Sequence, residues 1–164
     1  MFMKPDIKIL QPKKLLGKCM RMNFVENNTA LIWKSFMPIR NQITNKLGND
    51  LFSVTVYDAL PDFENFNPQT FFTKWAAVEV ADFNDVPDDM QTLTLTSGMY
   101  AMFNYKGLSN DTQIFEYIFG TWLPASEYEL DNRPHFEILG EQYKNNDPNS
   151  EEEIFIPIKM KQSV

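Results

Sequence analysis

One succession of elements occurs twice in this chain, and it restricts the fold more than any single motif. Residues 13–24 end in the alternating stretch Cys19-Met20-Arg21-Met22-Asn23-Phe24, a strand pattern. Asn27-Asn28-Thr29 then offers N-cap chemistry to Ala30–Phe36, where Ile32, Phe36, Ile39 and Ile43 recur at helical spacing. Pro38 is expected to kink or restart that helix. After the turn Gly48-Asn49-Asp50 come a second strand, Leu51–Tyr57, a loop with Pro61 and Pro68, and a third strand, Phe72–Val80. Beyond Asn84–Asp89 the order begins again. Met90–Tyr105 reads as strand with a bend at Ser97-Gly98, and Ser109-Asn110-Asp111 caps a helix that Pro124 stops. Phe136–Leu139 and Ile154–Ile158 supply two more strands, separated by an acidic turn over 145–153.

The pattern predicts an α+β fold in which two tandem β-α-β-β modules, about 10–82 and 90–160, form one domain over 1–164. Their strands would make one mostly antiparallel sheet carrying two helices, with a pseudo-twofold cleft between the helices. Small-molecule sites favour such junctions.

Charge narrows the partners. The chain has 15 Lys and Arg against 22 Asp and Glu, a net charge of −7, whereas nucleic-acid binders neutralise phosphates with basic side chains. Lys4, Lys8, Lys13, Lys14, Lys18 and Arg21 cluster near the start, and they read as a solvated first strand with its lead-in rather than as a basic arm. Direct nucleic-acid binding is therefore not expected. Cys19 is the only cysteine, which fits a reducing cytoplasm. No stretch has the length and apolarity of a membrane span, and Met1–Leu10 lacks the apolar core of a signal peptide. No phosphate-binding glycine loop, nucleophile elbow or Cys/His cluster occurs, so neither cofactor nor metal is expected. The single histidine, His135, reads as a surface or strand-edge residue, and Glu151-Glu152-Glu153 as a solvated turn.

Two acids interrupt apolar strands. Glu79 lies within Trp75–Val80, on the face of Ala77 and Ala81; Glu137 lies within Phe136–Leu139, on the face of Leu139. A carboxylate on a core strand costs several kcal/mol, on the order given for buried ions, unless it is paired or wet. Each therefore either points to solvent, pairs with a cation such as Lys74 or Arg133, or faces a cleft. In the last case the two acids attract a flat, apolar cation, with Tyr57, Tyr100, Phe103, Trp33 and Trp122 as aromatic walls. Tyr57 and Tyr100 are the better wall candidates, because a buried hydroxyl needs a partner.

Several segments together resemble one family. Leu31–Pro38 with Ser53–Tyr57, then Ala77–Val80, Gly98–Phe103 and Lys106-Gly107, then Trp122–Glu129, Arg133–Glu137 and Glu153–Ile158 are similar, in that order, to the GyrI-like, AraC-type effector-binding domains. The resemblance implies two fused β-α-β-β modules and a central cleft for hydrophobic, often cationic compounds. It carries the family's pocket acid onto Glu137, a second acid onto Glu79 and the Trp of a W-L-P motif onto Trp122. Many members are fused to DNA-binding domains, for which this chain has no length. The expected roles are sensing or sequestration of an amphipathic cationic or aromatic drug or toxin. Two alternatives remain: a hydrolase of cyclopropane-containing toxins using Glu137 and Glu79, and modulation of a protein partner such as DNA gyrase. A homodimer is also compatible.

Overall fold

A computed structural model of the chain describes residues 4–162. The first half runs β1 (Asp6–Leu10), β2 (Lys13–Met22), α1 (Thr29–Phe36), a 3-10 continuation (Met37–Gln42), β3 (Lys46–Tyr57) and β4 (Phe72–Val80). The second runs β5 (Gln91–Leu95), β6 (Gly98–Lys106), α2 (Gln113–Tyr117), a π turn (Ile118–Trp122), α3 (Leu123–Ala125), β7 (Tyr128–Leu130), β8 (His135–Leu139) and β9 (Glu151–Met160).

Local chemistry sets the helix boundaries. Asn27 Oδ1 accepts the Thr29 N–H at 3.0 Å, satisfying a donor at the start of α1. Pro38 has no N–H to give, and the α-helix passes into the tighter 3-10 form after Phe36. Asp111 Oδ1 accepts the Gln113 N–H at 2.9 Å and starts α2. The second helical segment widens into a π turn around Gly120 and closes with the short α3, which holds Pro124 in its first turn and ends at Ala125 rather than at the proline.

All strand pairs among the described residues are antiparallel, in the order β1-β6-β9-β8-β3-β4-β2-β5, with β7 beside β9. This sequence of neighbours is a palindrome of the two halves. β3 and β8 meet at its centre, flanked by β4 and β9, then by β2 and β6. Each outer flank is finished by a strand from the other half: β1 pairs with β6, and β5 pairs with β2.

Only two residues link β1 to β2 and β5 to β6, although these strands stand near opposite ends of the order. The sheet must therefore curl. Its concave face is filled by Leu15, Phe52, Val54, Trp75, Tyr100, Phe136 and Phe155, with Phe136 stacked on Phe155 at 4.6 Å. Each such side chain contributes about 1.5–3 kcal/mol on burial. The other face carries the helices. Ile32 and Phe36 of α1 cover β2 and β4, while Ile114 and Ile118 of the second helical segment cover β6 and β9.

The expected α+β architecture is present, but the strands differ from the sequence pattern: Gly48-Asn49-Asp50 lies within β3 rather than forming a turn before it, and β7 is an added short strand. β1 is an additional edge strand, and Met90–Tyr105 divides into β5 and β6 at Gly98, whose φ is 156°. The basic residues near the start lie along and just before β1 and β2, where Arg21 donates to both oxygens of Asp58 at 2.9 and 2.8 Å. Among the described residues, no helix is long and apolar enough to cross a membrane.

Candidate functional site

Between the helices, the floor of the groove is the helix-bearing face of β4, β3, β8 and β9. Strand alternation places Phe72, Lys74, Ala76 and Val78 on this face, with Ser53, Thr55 and Tyr57, His135 and Glu137, and Glu152 and Ile154. Register then aligns them. Lys74 is opposite Thr55, Thr55 is opposite His135, Ser53 is opposite Glu137, and Glu137 is opposite Ile154, two residues from Glu152. A polar stripe crosses four strands in an otherwise apolar surface.

Its electrostatics are those of a desolvated cluster. Lys74 and Glu137 are half-buried as residues, but their charged ends are enclosed by protein; Lys74 Nζ donates to Thr55 Oγ1 at 3.1 Å. Burial lowers the Lys74 pKa, opposed by the charges of Glu137 and Glu152. Burial raises Glu137, opposed by Lys74 and by a hydrogen bond with Glu152. Glu152 is pushed up to about 8 by burial first, then by the charge and hydrogen bond of Glu137. The two carboxyl groups titrate as a pair, and burial favours one proton retained between them. Tyr57 rises to about 12 through burial and the Glu137 charge, while burial takes His135 down to about 3. Both are neutral near pH 7.

An aromatic cover closes one end of the groove. Phe63, from the loop between β3 and β4, stacks on Phe119 of the π turn at 3.9 Å and 20°. It also meets Tyr57 edge-on at 6.1 Å, and His135 lies 5.1 Å from Tyr57 and 6.1 Å from Phe119. Phe66 and Phe24 extend the cover toward β4. His135 Nε2, beside the cover, and Glu152 Oε2, farther along the groove floor, are buried without a hydrogen-bond partner. Such atoms are uncommon in folded proteins and leave hydrogen-bonding capacity unused in the groove floor. At the other end, two residues along β3 from Ser53, a cavity of about 310 Å³ opens among Met37, Arg40, Asn41, Lys46, Asn49, Leu51 and Val78. Its lining does not include Glu137 or Glu152.

Glu137 and Tyr57 are thus brought together in the groove. Glu79 is not. It lies on the concave face, where Lys13 Nζ is 3.5 Å from its carboxylate, because alternation along β4 assigns Lys74 and Glu79 to opposite sides. Tyr100 also faces the concave core, under the Arg133 guanidinium at 4.5 Å. Phe103 is fully buried beneath the second helical segment, with Trp122 edge-on at 5.3 Å and stacked on Tyr128. Trp33 packs against Phe36 on α1. His135 is not at the surface but 7% exposed, and Glu152 leaves the expected solvated turn to become part of β9, also 7% exposed. Sequence reasoning passed over Glu152, His135 and the Phe63–Phe119 cover. The period-two series Glu152, Ile154, Ile156 was the available signal for the first. Among the described residues, no group of three His, Cys, Asp or Glu side chains could hold a metal ion.

Comparison with known proteins adds a family and a fold. A family model for the GyrI-like small molecule binding domain matches residues 3–159. No curated protein matches. Among solved structures, SAV2435 bound to tetraphenylphosphonium is 17% identical with a TM-score of 0.67, over 96% of this chain and 94% of that one. The EcmrR C-terminal domain is 15% identical with a TM-score of 0.64, over 96% and 98%. A hydrolase encoded by lin2189 from Listeria innocua is 11% identical with a TM-score of 0.59, over 95% and 92%. At these identities the likeness is one of fold.

Proposed function

Because the chain belongs to the GyrI-like small-molecule-binding family, we propose that its groove binds hydrophobic, cationic aromatic compounds, in sensing or sequestration of drugs or toxins. The carrying observation is the Glu137 carboxylate in the groove floor, close to Tyr57 and the Phe63–Phe119 cover. A carboxylate under aromatic faces attracts a flat cation both by charge and through the rings, and the low local dielectric strengthens both effects. The tetraphenylphosphonium bound to the SAV2435 neighbour is an apolar aromatic cation of this class. The lone Cys19 supports a reducing, cytoplasmic setting.

The test is a pair of fluorescence titrations, with a cationic dye and a neutral dye of similar shape, on wild type and Glu137→Gln. Removing the charge while keeping the shape is expected to weaken the cationic dye about 10- to 100-fold, the scale of a hydrogen bond to a charged group. The neutral dye is spared. Equal affinity of both proteins for the cationic dye rejects the reading.

The carboxyl pair favours one second reading, hydrolysis, in which a protonated acid donates to a leaving group while its partner stays ionised. Glu152 then takes the part that the sequence pattern gave to Glu79. Turnover of a candidate substrate, absent in Glu137→Gln, separates this reading from binding alone.

A further inference from the structure

Three ionisable side chains from three strands share the groove floor, on one face of the sheet: Lys74 of β4, Glu137 of β8 and Glu152 of β9. Glu137 is opposite Ile154, so Glu152 lies diagonally across from it on the same face, and Glu152 is 7% exposed. Burial raises both carboxyl groups and the Glu137 charge raises Glu152 further, which favours one proton retained on the pair. A proton retained on the pair, with Lys74 beside it, brings the cluster toward neutrality. A neutral cluster gives an arriving cation little electrostatic advantage, yet Glu152 Oε2 is buried with its lone pairs unused. Releasing the shared proton would give both carboxyl groups a negative charge and turn that oxygen into an acceptor for a positive ligand.

We propose that the groove exchanges a proton for a cation: entry of a cationic aromatic ligand expels the proton shared by Glu137 and Glu152, and Lys74 sets how strongly the cation must compete. This rests on the binding reading above and extends it to Glu152 and Lys74 as the residues that determine charge selectivity. The step balances. The carboxylic O–H bond of the pair breaks, its electrons stay on the carboxylate, and the proton passes to water as one positive charge enters.

Other titratable groups stand around the pair. On β3, Tyr57 is a phenol raised to about 12; on β8, His135 is a neutral imidazole lowered to about 3. On β6, Tyr105 stands opposite Glu152 and is also raised by burial. Arg133, before β8, is committed to Asp131 and to the Met99 and Ile158 carbonyls. On the second helical segment, Glu116 is exposed; on α1, so is Lys34; in the covering loop, Asp62 is engaged by Asn65. The candidate sources of a released proton are the carboxyl pair and the desolvated Lys74.

Calorimetric titration of tetraphenylphosphonium into the full chain, in buffers of different ionisation enthalpy, counts the protons. At pH 7 wild type is expected to release close to one proton per ligand. Affinity should rise nearly tenfold per pH unit up to about pH 8, where the pair is ionised in advance. Glu152→Gln is expected to bind with no release and no pH slope, and Lys74→Met to keep the release and bind more tightly. Wild-type binding without proton release overturns the exchange and leaves the binding reading standing. Release that survives Glu152→Gln and disappears in Lys74→Met assigns the proton to Lys74 and also overturns it. No tetraphenylphosphonium binding at all rejects both readings. The wild-type proton count needs no variant, so the test stands even if a substitution prevents folding.

Discussion

Stability is expected to follow a profile set by two buried groups of the groove floor, Glu152 and His135, with a fall between pH 6.5 and 8. The pKa of Glu152 rises on folding from the ordinary 4.5 to about 8, so the native state binds more protons than the unfolded chain across that interval. Its stabilising contribution is complete below pH 4.5 and is lost as pH rises through 8. His135 has the opposite sign. Its folded value of about 3 lies below the ordinary 6.5, so its contribution is complete above 6.5 and is lost as pH falls through 3. At about 1.4 kcal/mol per unit, each change is limited to about 5 kcal/mol. The proton of Glu152 is shared with Glu137 and offset by Lys74, which brings its expected effect to about 2–5 kcal/mol. Stability thus rises from pH 3 to 4.5, stays nearly level to 6.5 while the two effects oppose, and falls from 6.5 to 8. Urea denaturation followed by fluorescence of Trp33, Trp75 and Trp122 at intervals across this range gives the curve. In Glu152→Gln the fall above pH 6.5 is expected to disappear. A wild-type curve that is flat or rising between 6.5 and 8 refutes the argument.

Three further outcomes follow from packing. Gly17 of β2 lies against β4 so closely that an added Cβ would land on the Ala76 carbonyl, so Gly17→Ala is expected to cost about 3 kcal/mol or more in chemical denaturation, or to block folding. Arg133→Lys keeps the charge but loses the fork that reaches Asp131 Oδ2 at 2.7 Å and the Met99 carbonyl at 2.6 Å. A loss of about 2 kcal/mol is expected in the same assay, and wild-type stability would dismiss the fork as a fastener. Phe63→Ala removes the ring stacked on Phe119; amide exchange should quicken in β8, and dye association should accelerate at a stability cost of about 1–2 kcal/mol. Unchanged association would mean that the cover does not gate the groove.

How much was legible in the sequence depended on whether the signal was local. Phe72–Val80 was readable to the residue because Phe72, Thr73, Trp75, Val78 and Val80 recur through it between loop signals, and the change of helix type at Pro38 followed from a missing donor. β1 was not readable: its five residues mix charged and apolar side chains, and its partner β6 lies some ninety positions away. Glu137 and Glu79 looked alike, each an acid among apolar neighbours. Both faces of the sheet are buried, so alternation separated Lys74 from Glu79 without saying which face bears the helices. His135 and Glu152 were missed because they sit at strand ends, where boundaries are least defined by composition.

The exchange of outer strands has a consequence for what the groove can be made of. Asp6 and Gln91 open the exchanged strands, and Lys13 and Gly98 open the strands that follow them, at the same spacing along the chain. Two identical copies of one half, trading their first strands, would generate the same order of neighbours and enclose the same groove on an exact twofold axis. Both walls would then carry the same side chains, so an acid on one would face an acid on the other. A single continuous chain is released from that equality. Here β3 offers Ser53 and Thr55 at the central seam, while β8 answers with Glu137 and His135. Covalent linkage of the halves thus allows a lopsided charge pattern in a symmetric frame, which any self-paired half would be unable to write.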